Sequence, residues 1–296
     1  LFPDAQALTK EPTFIKRDTE WVSKVLNGAR HTPFSRIKSV HADITADEAR
    51  AKGYVTAALK IDEVFGLLKR VTGPTTVYKK QKLDRNDIVD ITDLDVVAWL
   101  KREMRFMLDE ELAGAGLVGD RRLITDPDYI DRTCIRPIWL DDALYSYKLQ
   151  MLSTDDTEDI IEKIIRGRKY YKGSGNPTLF TTTDFLTDML LLKDLNGHRL
   201  YKTEAELAAT LRVSGFVEVP VMENLSRVVE TTTYNLLGIL VNMSDYTYGA
   251  DKGGEVNFFD DFDIDYNQYK YLLETRCSGA LTLPYSAQVI EQEAGV

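Results

Sequence analysis

The sequence is poor in the residues that most chemistry needs. Among 296 residues there are two cysteines, Cys134 and Cys277, and three histidines, His31, His41 and His198. The cysteines make no metal-ligand spacing. They read as two buried thiols of a reducing compartment, with a single bridge as the alternative. The histidines are scattered, and His198, after a turn, reads as solvated. No Gly-rich phosphate loop, Gly-x-Ser-x-Gly, His-Glu-x-x-His or paired-cysteine site occurs, so neither a cofactor nor a metal is expected. Long apolar runs are missing as well: Leu236 to Val241 is among the longest, against the ~18–20 residues of a membrane span. No signal peptide is visible. Position 1 is Leu, which fits either a leader left out of the numbering or proteolytic maturation. Positive charge is in deficit, with 37 Lys and Arg against 47 Asp and Glu, for a formal charge of −10. That balance argues against a surface that grips nucleic acid through its phosphates and favours solubility.

What is present suits a globular chain. The apolar share is 44%, and at this length a core forms without disulfide staples, as one large or two modest domains. The strongest single element is Asp90 to Gly119. Apolar residues recur at Val96, Val97, Leu100, Met104, Met107, Leu108 and Leu112, opposite Lys101, Arg102, Arg105, Asp109 and Glu110. Thr92 and Asp95 resemble a capping box, and Gly114 and Gly116 are expected to mark the stop. At 1.5 Å per residue such a helix spans roughly 30 Å and serves as a spine.

Elsewhere the pattern mixes helices and strands. Residues 1–20 read as an extended arm, with a short helix from Glu20 to Leu26. Phe34 to Ile44 and Thr75 to Leu83 read as strands. Two helical pieces lie between them, one capped by Thr45 and Glu48, the other Asp62 to Arg70. Thr75 to Leu83 is polar on both faces, which suggests a projecting hairpin, or an ordinary edge blunted by its lysines. Residues 119–142 read as loop. Thr157 to Arg168 predicts a helix with Ile160, Ile161, Ile164 and Ile165 inward, then Gly173-Ser174-Gly175 as a boundary. A strand at Thr178 to Thr182, a helix at Asp184 to Lys193 and a helix capped by Thr203 and Glu206 follow. Strands at Phe216 to Met222 and Thr231 to Met243, a loop at Gly249 to Gly254, and strands at Val256 to Phe259, Tyr266 to Arg276 and Tyr285 to Ile290 complete the chain. Without βαβ regularity, the fold class is α+β.

Two clusters invite chemistry. Asp260, Asp261, Asp263 and Asp265 form an acidic run that lacks calcium-loop spacing and reads as a solvated loop. Lys79, Lys80 and Lys82 read as a hydrated edge. The residues alone show no enzyme; the arm and the polar hairpin suggest contact between subunits.

Three segments carry a resemblance: Thr76 to Arg85 running into Asp-Val-Val-Ala-Trp-Leu-Lys-Arg-Glu-Met-Arg, then Thr178 to Tyr201, and Tyr269 to Ala287. In their order and spacing the chain resembles a tailed-bacteriophage major capsid protein of the Hong Kong 97 type. The resemblance implies an N-terminal arm at 1–33, an E-loop at 34–90, a P domain at 91–174 with its C-terminal strands at 256–296, and an A domain at 175–255. It implies pentamers and hexamers of an icosahedral head around double-stranded DNA, assembled in the bacterial cytoplasm. Portal, maturation protease and decoration protein are the implied partners. Some relatives weld subunits with a lysine–asparagine isopeptide bond aided by a glutamate. Register puts Asn267 and Glu274 at those positions, with Lys60 or Lys69 as the lysine. On one strand Asn267 and Glu274 would lie on opposite faces, roughly 23 Å apart at ~3.3 Å per residue, so they could act only across subunits; read without the resemblance, both are ordinary strand residues. Two rival readings are an encapsulin-type cellular compartment shell and a metal-dependent hydrolase built on the acidic run.

Overall fold

A computed structural model describes residues 18–43, 50–53, 56, 59–60, 66–90, 96–251 and 256–295. The chain opens with α1 (Glu20–Gly28) and β1 (Arg30–Thr32), followed by β2 (Ile37–Asp43), β3 (Gly66–Thr72) and β4 (Thr75–Asp84). A short α2 (Arg85–Asp90) leads towards the long α3 (Val96–Leu117). Next come β5 (Ser146–Met151), α4 (Thr157–Gly167), β6 (Thr178–Thr181), α5 (Thr183–Leu191), α6 (Glu204–Leu211), β7 (Phe216–Glu218), β8 (Ser226–Val229) and β9 (Thr232–Val241). The chain ends with β10 (Tyr246–Ala250), β11 (Asn257–Asp263), β12 (Gln268–Leu281) and β13 (Ala287–Glu293). The fold is α+β.

Two sheets organise these elements. In one, β12 is flanked by β4 on one side and by β10 then β11 on the other, with β1 beyond β10. In the other the order is β5-β13-β9-β6-β7, with β8 also on β9. Three apolar clusters fill the layers. One joins α1 to the C-terminal end of α3 and to β9, β10 and β13. Another packs α4, α5 and α6 on the second sheet. The third lies between α3 and the β4–β12–β11 strands.

The spine helix forms where its apolar stripe predicts, with Met104 and Leu108 buried. The expected stop is corrected: Gly114 and Gly116 lie inside the helix, which ends at Leu117, with Gly119 at φ +95°. The two glycines are there for close approach. A Cβ on Gly116 would sit 2.1 Å from Tyr248 Oη, and Trp21 from α1 packs at Gly114. The Thr92–Asp95 capping box lies outside the described residues, as does the Thr45–Glu48 box.

Other local expectations fare variously. α4 has Ile160, Ile161 and Ile164 buried, and Asp156 Oδ1 caps it by accepting from Asp159 N at 2.9 Å. Thr203 caps α6 in the same way through Glu206 N. The helix expected at Asp62 to Arg70 is wrong for its described part, because 66–72 is a strand. Leu67, Leu68 and Val71 satisfy either period, and pairing with β2 decides between them. The strand expected at Phe216 to Met222 is cut to β7 by a 3-10 turn at Pro220–Met222. Residues 20–32, read as part of the arm, are docked in the core: Trp21, Val22 and Val25 are buried, and β1 pairs with β10. The acidic run is not a loop at Asp260, Asp261 and Asp263, which sit in β11 paired to β12. Both cysteines are free thiols, Cys277 buried and Cys134 only partly so.

Candidate functional site

Strands β2 and β3 pair with each other and, among the described residues, with neither sheet. Their antiparallel register, from Ile37↔Thr72 to Asp43↔Gly66, gives this ribbon two distinct faces, because side chains alternate along a strand. Ile37, Ser39, His41, Leu68, Arg70 and Thr72 share the inward face. Lys38, Val40, Ala42, Leu67, Lys69 and Val71 share the outward one. The inward face is docked: Ile37, Arg70 and Thr72 are buried. The outward face is open, with Val40, Leu67 and Val71 exposed at 43%, 58% and 55%. Three exposed apolar side chains, flanked by two lysines, thus share one face of a small ribbon that no other described residue covers.

The docking is made by long-range polar contacts. Arg70 Nη2 donates to both oxygens of Asp141, at 2.8 and 2.6 Å, and its guanidinium lies 3.9 Å from the centre of the Tyr145 ring. His41 Nε2 donates to Thr282 O at 2.9 Å, and its ring meets the edge of Tyr145. Ser278 Oγ donates to Ser35 O at 2.6 Å. Sequence reasoning missed Arg70 and Asp141. They are 71 residues apart, and neither stands in a motif; the available signal was an arginine amid the apolar residues of a short strand.

Behind the ribbon the body holds a second ionic group. Glu291, fully buried, accepts from Trp139 Nε1 at 2.7 Å and from Arg227 Nε and Nη2 at 2.6 and 2.8 Å. Lys148 Nζ donates to Ser146 Oγ at 2.9 Å. Its ammonium is pulled down to about 7, chiefly by burial, with Glu291 opposing.

The strand Thr75–Asp84 differs from its reading. It does find a partner within the chain, ten residues of β12 from Cys277↔Thr75 to Gln268↔Asp84. Val77 is buried under α3, while Lys80 and Lys82 face away with Tyr78. Across the outer face, Lys80, Leu272 and Phe259 form one row, with Phe259 52% exposed. At the β11–β12 turn Ile264 and Tyr266 are also exposed. Asp263 is ion-paired with Lys270, and among the described residues no three acidic, His or Cys side chains gather as a metal site. His31 Nε2 donates to Leu26 O, and its ring stacks on Tyr248.

The welding candidates are dispersed. Asn267 is not a strand residue: it sits in the β11–β12 turn with φ +52°. Glu274 lies within β12 opposite Tyr78. Lys69 is exposed on the ribbon's outward face opposite Val40, and Lys60 is exposed between β2 and β3. No contact joins Asn267, Glu274 and Lys69.

No family model and no curated protein matches this sequence. Solved structures do match, nearly end to end. The capsid of a native GTA particle superimposes with a TM-score of 0.68 at 11% identity, covering 99% of this chain and 96% of that one. A chain of Mycobacterium phage Ogopogo gives 0.67 at 12% identity, covering 97% and 96%. The capsid of the Myoviridae phage XM1 gives 0.61 at 8% identity, covering 97% and 96%. The chain has the fold of these chains.

Proposed function

We propose that this chain is a major capsid protein of the Hong Kong 97 type, the repeating unit of an icosahedral phage head around double-stranded DNA. The carrying observation is the match over 99% of this chain and 96% of a capsid chain. The ribbon supports it chemically. Its inward face is docked, and its apolar outward face needs a neighbouring copy to cover it. Each copy would give a ribbon and receive one, a heterologous contact that repeats until the shell closes, and many modest contacts then hold together by multivalency.

In this reading residues 1–33 are the arm, with its part from Glu20 to Thr32 anchored on the body, 34–90 the E-loop, with β4 as its root on β12, 91–174 and 256–296 the P domain, and 175–255 the A domain around which five or six copies gather. The chain acts as a structural protein of the virion, assembled in the bacterial cytoplasm beside a portal, a maturation protease and a decoration protein. A net charge of −10 lets enclosed DNA be held loosely. A weld through Asn267, Glu274 and Lys60 or Lys69 would have to join side chains of different copies. A denaturing gel of intact particles tests that step: a ladder supports it, a single monomer band removes it.

Electron microscopy of purified, nuclease-treated material tests the main reading. Closed shells with protected nucleic acid support it. Shells holding a protein cargo turn it into a cellular compartment, and a monomer with chelator-sensitive activity turns it into a hydrolase.

A further inference from the structure

We propose that a basic finger following α5 seats in an acid-rimmed groove beside α5 of a second copy of this chain, an inference that rests on the assembly reading above. The finger spans residues 192–200. Leu200 N donates to Leu192 O at 2.9 Å and Asp194 N to His198 O at 2.8 Å, and Lys193 is bridged to Arg199. Asp194 Oδ1 also accepts from Asn196 N and His198 N, at 2.9 and 2.8 Å. These bonds fix a tip on which Leu195 is fully exposed, with Leu191 and Leu200 open beside it. Lys193, Arg199 and Lys202 are exposed around that tip, and none of the three is ion-paired among the described residues.

The groove lies between the first turns of α4 and α5 and the strand β9, and encloses about 520 Å³, within the range of ligand pockets. Ile160, Phe185 and Leu237 form apolar walls, and Asp184, Asp188 and Glu223 stand exposed at the rim. Among the described residues no lysine or arginine lines it, and these three carboxylates have no ion-pair partner. A smaller acid-rimmed hollow of about 230 Å³ beside Trp21 carries Lys24 in its wall, so it suits a cationic finger less well. Three cations around an apolar tip thus match three carboxylates around an apolar recess, in sign and in number. Burial of Leu195 supplies the attraction, and the charges set the register. The finger's own bonds hold Leu195 in solvent, so its seat is on another copy. Finger and groove are different surfaces, so the contact is heterologous, and repeating it makes a ring where the rotation closes.

Exchange of the charges tests this, read by light scattering during assembly of the purified chain. Lys193→Glu/Arg199→Glu and, separately, Asp184→Lys/Asp188→Lys are each expected to slow assembly roughly tenfold or more. Urea unfolding is expected to stay unchanged, because all four side chains are exposed. The variant carrying all four substitutions is expected to assemble within about threefold of the natural rate, since the signs are exchanged and still match. Slowing in both halves without recovery in the combination overturns the pairing, and so does slowing in one half alone. Natural assembly by both half variants overturns this inference and leaves the assembly reading standing. A natural chain that never assembles overturns the assembly reading, and this inference with it. Should a variant not fold, carbodiimide coupling of natural particles grown from isotopically light and heavy copies decides. A light-to-heavy link from Lys193 or Lys202 to Asp184, Asp188 or Glu223 supports the pairing; links of those lysines to other carboxylates only overturn it.

Discussion

At the scale of single residues, two positions carry consequences that run against ordinary rules. Replacing glycine by alanine inside a helix usually gains about 1 kcal/mol. At Gly116 the sign reverses, because the new methyl would meet Tyr248 Oη at 2.1 Å, and that hydroxyl is buried and donates to Leu112 O. Gly116→Ala is expected to lose about 1–3 kcal/mol in urea unfolding, the usual cost of overpacking a core. Lys148 concerns pH. Its folded pKa of about 7 lies below the ordinary 10.5, so the unfolded chain binds that proton more tightly. Stability therefore rises with pH between about 7 and 10.5, and the penalty is fully present below about 7. Burial pushes the Cys277 thiol from 9.0 up to about 12; its folded form resists ionising, so above about pH 9 it works in the opposite direction. The window from 7 to 9 isolates Lys148. Lys148→Met is expected to flatten the rise of denaturation midpoint with pH in that window, and an unchanged slope would show that another group sets it.

At the scale of elements, legibility followed the reach of the interactions. Helix α4 and the Thr203 cap of α6 are local, set by residues three or four apart, and the sequence displays them; the Asp156 cap of α4 is as local and went unread. Strand β4 was harder. Its inward residues include Lys79 and Gln81, both half-buried, so the strand looks polar on both sides although its partner β12 is in the same chain. The ribbon's docked face was invisible for the same reason: Asp141 and Thr282 become neighbours of Arg70 and His41 only in the folded chain. The ribbon's outward face divides stability from assembly. Leu67→Asp is expected to leave urea unfolding within about 0.5 kcal/mol of the natural chain, as exposed substitutions do, while abolishing assembly by light scattering. Equal loss of both would show that Leu67 is a core residue. The β8–β9 hairpin is tied differently. Arg227→Met leaves the buried Glu291 carboxylate with the Trp139 hydrogen bond and the more distant charge of Lys148, and about 3–5 kcal/mol of stability is expected to go with it.

At the scale of the whole molecule, the described residues bury most large apolar side chains and leave some in the open. Its clusters are ordinary cores, yet it presents apolar side chains on the ribbon, on the β11–β12 turn and around Leu195, which is fully exposed. Other copies of the same chain are the partners proposed for those surfaces. A three-dimensional reconstruction of assembled particles examines this directly, because it shows what lies against Val40, Leu67 and Val71. The result expected is a closed shell in which an adjacent copy covers that face of the ribbon. A shell in which the same face meets only solvent, or material that never assembles, would contradict it.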